Sequence, residues 1–177
     1  MSKTPPFEHV YDLSDLSSAG AEVTIDLNKE QRAKLAAWLE VERVEKFLAV
    51  VTLRKLAMNR FQLHAHLACD LIQPSVVSLE PLSTHIEEDF SRELQVAHRI
   101  RREIAEEGEL TLAAGDDEAP EQVETSSYDL AGPLLEELSL ALDPYPRAPG
   151  EAFEAPEPPE ARPESPFAVL KKLKGEG

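Results

Sequence analysis

This 177-residue chain has one cysteine, one tryptophan, 7 glycines and no excess of positive charge. With Cys69 alone, no intramolecular disulfide can form and no all-cysteine cage can hold a metal, so a reducing, cytoplasmic setting is expected. The longest plain apolar run, Phe47-Leu48-Ala49-Val50-Val51, falls far short of the ~20 residues that span a bilayer. Pro5, Glu8, Asp12, Asp15 and Glu22 break up the first thirty residues, which excludes a signal-peptide core and predicts a soluble protein with no membrane partner. The glycines are scattered, so no phosphate-cradling loop exists, and neither Ser75 nor Ser78 sits in a Gly-x-Ser-x-Gly elbow. These absences predict neither a catalysed reaction nor a cofactor.

Acid is abundant: 34 Asp and Glu against 18 Lys and Arg give a formal charge of −16. It is unevenly placed. Residues 1–102 carry a net −2, residues 103–164 a net −16 and residues 165–177 a net +2. The acidity thus belongs to one region, whose plain reading is a solvated segment that suits a basic partner.

Hydrophobic periodicity predicts the elements. Phe7 to Leu13 alternates weakly as a first strand, and Ala21 to Leu27 alternates cleanly as a second. Asn28, with Gln31 three residues on, opens a helix over Lys29–Glu40 with Leu35, Trp38 and Leu39 inward. Val44 to Leu56 is apolar on one face and partly on the other, which suits an interior strand. After a polar turn, Phe61, Leu63, Ala65, Leu67, Cys69 and Leu71 point one way, and Gln62, His64, His66 and Asp70 the other. Two long strands so joined form a hairpin at the centre of the sheet.

Residues 83–97 are ambiguous: Ile86, Phe90 and Leu94 fit a helix stripe, which the pattern slightly favours, but also one face of a strand. His98 to Glu107 reads as helix, carrying Arg99, Arg101 and Arg102, and residues 108–127 as an acidic connection. Leu130, Leu134, Leu135, Leu138 and Leu142 define a helix over Asp129–Leu142 with Pro133 in its first turn, stopped by Asp143-Pro144-Tyr145-Pro146. The expected fold is α+β: an antiparallel sheet of about four to six strands with two or three packed helices. One domain covers 1–146 with the acidic loop inside it, followed by a Pro/Glu-rich linker over 147–163 and a short amphipathic basic tail over 164–177. Nothing in the pattern fixes an oligomeric state.

Two constellations carry candidate chemistry. His64 and His66 share a strand face with Asp70, which allows a metal-dependent hydrolase as an alternative, although a polar strand face supplies such pairs for ordinary reasons. Arg54, Lys55 and Arg60 cluster round the hairpin turn and could meet phosphate, while the tail offers Phe167, Leu170 and Leu173 to a partner.

Three stretches together resemble the YceD family, the large ribosomal RNA subunit accumulation proteins of bacteria. Ser75-Val76-Val77-Ser78-Leu79-Glu80-Pro81-Leu82 is similar to the family's Cys-x-x-Cys turn and trailing Pro. Tyr128-Asp129-Leu130 through Pro146 is similar to its Asp-Leu and Leu-x-Leu-Pro segment, and Ser165 to Lys174 to its terminal Pro-Phe-Ala-x-Leu-x-x-Leu-Lys. Serines stand at both cysteine positions, and no Cys or His lies around Arg147–Phe153 where the family has a further one, so no metal site carries over. The resemblance implies a strand over residues 83–96 and a role in making or maintaining large-subunit ribosomal RNA. The expected function is a non-enzymatic ribosome biogenesis factor whose partner is a basic ribosomal protein, an rRNA-processing factor or pre-ribosomal RNA. A general acidic protein-interaction module is the blander alternative.

Overall fold

A computed structural model describes residues 4–96 and 120–152. The predicted helix over His98–Glu107, most of the acidic connection and the linker beyond residue 152 lie outside the described residues. So does the tail with Phe167, Leu170 and Leu173.

Five strands form one sheet in the order β2-β3-β4-β5-β6: β2 Ala21–Asp26, β3 Arg43–Lys55, β4 Arg60–Pro74, β5 Pro81–Val96 and β6 Glu121–Val123. All neighbours run antiparallel except β5 and β6, which pair in parallel over Leu94–Val96. A second, two-stranded sheet pairs β1 (Val10–Asp12) with β7 (Ser127–Asp129). Helix α1 covers Lys29–Leu39 and α2 covers Ala131–Ala141. The α+β expectation holds. The acidic connection ends earlier than 127, because Glu121–Val123 is already a strand of the sheet, too short and too polar to show periodicity.

The hairpin of β3 and β4 is the frame. Phe47, Ala49, Val51 and Leu53 on β3 meet Cys69, Leu67, Ala65 and Leu63 on β4 in direct register, and all eight are buried. Between Val44 and Lys46 the register shifts at a bulge that the alternation did not reveal. Residues 83–96 are strand, not helix: Ile86, Phe90 and Leu94 lie opposite Cys69, Ala65 and Phe61, so one apolar face extends across three strands. A four-residue spacing fits both periods, and fifteen backbone partners along β4 decide between them.

Ladder phase explains the prolines. The Ser75 amide donates to Glu80 O (2.8 Å) and the Val96 amide to Asn59 O (2.9 Å), so β4–β5 pairs with an even-numbered β5 residue exchange hydrogen bonds. Pro74 and Pro81 face each other at a non-bonded position, where neither forfeits a ladder bond. Gly20, just ahead of β2, has φ 86°, and a Cβ there would stand 2.7 Å from Leu53 O, so no side chain fits.

Both helices pack on the apolar side of the sheet. The Asn28 side chain accepts from the Gln31 amide, and the Gln31 side chain accepts from the Asn28 amide, each at 3.0 Å, completing the expected capping box. Leu35 and Ala36 turn α1 inward against β3, and Trp38 and Leu39 pack half-buried beside them. Helix α2 buries Leu134, Leu135 and Leu138 against β4 and β5, with Leu130 just ahead of it and Pro133 tolerated in its first turn. Each fully buried leucine is worth about 1.5–3 kcal/mol, so this stripe stabilises α2 more than helix propensity does. Asp129 opens α2 by accepting from the Ala131 amide (3.0 Å) and also from the His9 amide (2.8 Å), which ties the N-terminal segment to it.

Candidate interaction surfaces

The other side of the sheet has no described helix on it. Its rows follow from the register: Glu22, Thr52, His64 and Ser91; Thr24, Val50, His66 and Asp89; Asp26, Leu48, Ala68 and Glu87. Carboxylates occupy both flanks of this face and half-buried apolar side chains its middle.

Along β4 and β5 the polar groups form an alternating ladder. His85 Nδ1 meets Asp70 at 2.5 Å, and Glu87 lies 3.7 Å from His85 Nε2 and 3.6 Å from His66 Nε2. Asp89 stands 3.2 Å from His66 Nδ1 and 4.0 Å from His64 Nε2, whose Nδ1 is 3.0 Å from Ser91 Oγ. The Asp70 hydrogen bond holds the His85 imidazolium above its ordinary pKa, with Glu87 adding to the effect. His64, His66 and Asp70 therefore do not converge: each is turned to a different partner on β5. Among the described residues no group of three His, Cys, Asp or Glu has the geometry to hold a metal ion. Ser91, His64 and Asp89 are ordered like a nucleophilic triad, but Asp89 is too far from His64 to orient it and water reaches all three. Cys69 lies on the opposite face, where burial, aided by the Asp70 charge, pushes its thiol up to about 12.

The basic hairpin tip divides. Arg54 is exposed on the outer face and Lys55 follows it on the opposite one, while Arg60 is spent on Glu93 at 2.5 Å. Only two of the three sequence-predicted cations there are unpaired by a described carboxylate. The turn they flank exposes Met58, 84% accessible, and Leu56. A second surface escaped sequence reasoning: Lys29, Arg32 and Arg43, with Glu42 and Glu45 among them, rim an open cleft of about 610 Å³ floored by Ala33, Ala36 and Val44 between α1 and β3, and Arg43 is paired with Glu45 at 3.0 Å. Its signal was present as two cations on the first turn of a helix, but the third comes from another element. Among the described residues Arg92 is the most engaged cation, 2.7 Å from Glu136 and 3.0 Å from Glu137 of α2, and 3.8 Å from Glu121 of β6.

The Ser75–Ser78 turn is closed by a clasp. Ser75 Oγ donates to one oxygen of Glu151 and Ser78 Oγ to the other, both at 2.5 Å. The amides of Val77 (3.1 Å) and Ser78 (3.3 Å) donate to Ser75 Oγ, and the Ala148 amide donates to Glu151 (2.9 Å). Val76 N–H reaches Pro146 O at 2.9 Å. These donors hold the Glu151 carboxyl below its ordinary pKa, Ser75 contributing most. The 147–163 linker thus does not begin at 147: its first residues are tied to the domain. Glu151, not a Cys or His, answers the two serines. Within the turn, Leu79 is held at φ 63°, a strained conformation for leucine that the surrounding bonds enforce.

Compared with known proteins, the chain matches no family model, no curated protein and no solved structure. No helix among the described residues is long and apolar enough to cross a membrane.

Proposed function

We propose that this chain is a non-enzymatic binding factor that serves large-subunit ribosomal RNA production by engaging a basic ribosomal or rRNA-processing protein. One observation carries the reading: the outer face of the sheet presents Glu22, Asp26, Asp70, Glu87, Asp89 and Glu93 against Lys46, Arg54, the engaged Arg60 and the imidazoles of His64, His66 and His85, so carboxylates outnumber the Lys and Arg two to one. Such a face attracts cationic protein surface and repels phosphate. The three-motif likeness to the YceD family supplies the ribosomal context. Residues Phe167, Leu170, Leu173, Arg54 and Lys55 are the further contacts of this proposal.

The test is a pull-down of the full-length chain from cells, with and without nuclease, alongside measurement of large-subunit rRNA after its removal. A basic protein retained through nuclease treatment, with lowered 23S-type rRNA in depleted cells, supports the proposal. Capture lost on nuclease treatment, or unaltered rRNA, overturns it. A chain ending at residue 152 retains the clasp and separates the tail's contribution from that of the domain.

A further inference from the structure

Among the described residues the sheet has one long unpaired edge. β6 covers β5 only at Leu94–Val96, so residues 83–93 have no strand beside them among the described residues. The ladder phase shows what that edge offers. Even-numbered residues of β5 bond to β4, so the N–H and C=O of Ser83, His85, Glu87, Asp89, Ser91 and Glu93 point away from it. No described backbone group bonds to them. This is a row of donors and acceptors about 35 Å long. The same six residues place their side chains on the outer face and include three carboxylates and no lysine or arginine.

We infer that this edge of β5 takes up an extended, lysine- or arginine-rich segment of another protein as an added strand. Main-chain hydrogen bonds give such an added strand its affinity, and alternate side chains its specificity. Here the alternate positions include Glu87 and Asp89, which suit cations spaced two residues apart, while Glu93 farther along is already held by Arg60. A second copy is a poor occupant. Antiparallel pairing of two β5 edges about residues 87–89 sets Glu87 or Asp89 opposite another carboxylate, which is destabilising. The opposite edge of the sheet, β2, is six residues long and offers only about half the backbone. Only the sign of the partner's charge rests on the function proposed above; the open edge stands on geometry.

The experiment uses the full-length protein and a fluorescein-labelled peptide alternating lysine and valine, read by anisotropy. Ser91→Pro removes one outward N–H and, on the β4 side, only the Oγ contact to His64, leaving the backbone ladder and every carboxylate in place, and a paired variant, Glu87→Gln with Asp89→Asn, removes charge while keeping every amide. Both variants weakening the peptide by about tenfold or more is the expected result. In the wild-type protein, NMR exchange of the Glu87, Asp89 and Ser91 amides should slow on peptide addition, which needs no variant to fold. Equal binding by wild type and Ser91→Pro, with the charge variant alone weakened, means attraction to the face only; that overturns the added strand and leaves the basic-partner reading intact. No binding by the wild type overturns the proposal. So does protection of those amides before peptide is added, which would mark this chain or a second copy as the occupant.

Discussion

Replacing Ser75 by alanine tests whether the clasp fastens the chain beyond α2 to the sheet. Ser75 is fully buried, and its hydroxyl both accepts from two amides and donates to Glu151. Loss of a serine that satisfies backbone amides in this way costs about 1–2 kcal/mol. For a domain of this size that is a fall in Tm of about 3–8 °C. The bond to Glu151 adds a pH signature. The carboxyl is lowered in the folded state from 4.5, so its stabilisation is complete above that value and is lost as pH falls through the lower, folded pKa. Urea unfolding of wild type and Ser75→Ala should thus show the largest gap at pH 7 and a narrowing gap towards pH 3. Glu151→Ala and the double variant complete the cycle, and the two single effects should not add. A gap below ~0.5 kcal/mol at pH 7, or one unchanged with pH, would refute the clasp as a fastening.

Two further outcomes test the core and the outer face. Leu138→Ala removes a fully buried side chain under α2 and should cost about 3–4 kcal/mol, read as a lower urea midpoint with an unchanged slope. By NMR the His85 ring should titrate above its ordinary 6.5, and Asp70→Asn should bring it down; the pair's stabilisation is present below 6.5 and disappears as pH rises through the raised value. A His85 midpoint indifferent to Asp70→Asn would show that the hydrogen bond does not set it.

The most legible part of the fold was the one written with period two. Phe61 to Leu71 alternates without interruption, and its partner strand was readable from the facing run Phe47 to Leu53. Asn28 and Gln31 announced α1 because a capping box is local chemistry. Residues 83–96 were not legible from periodicity, because apolar residues every fourth position satisfy helix and strand alike; long-range pairing decided it. That ambiguity also hid His85. Only with β5 in register do His85, Glu87, Asp89 and Ser91 come to lie beside Asp70, Ala68, His66 and His64. Glu151 was invisible for a different reason: it acts across seventy-six residues, and one more glutamate in a Pro/Glu-rich stretch carries no mark.

The pairing of Tyr11 with Tyr128 has a consequence for how the chain is made. A ribosome adding roughly 5–20 residues per second completes the later partner some 6 to 23 s after the earlier one. Until then the nascent amino terminus has no mate, and Phe7, which stacks edge-on to Phe47 at 5.6 Å, lacks the anchor that Asp129 gives to His9. The central hairpin can close early, but the molecule is sealed only when its two distant ends meet, which marks it as a slow folder for its length.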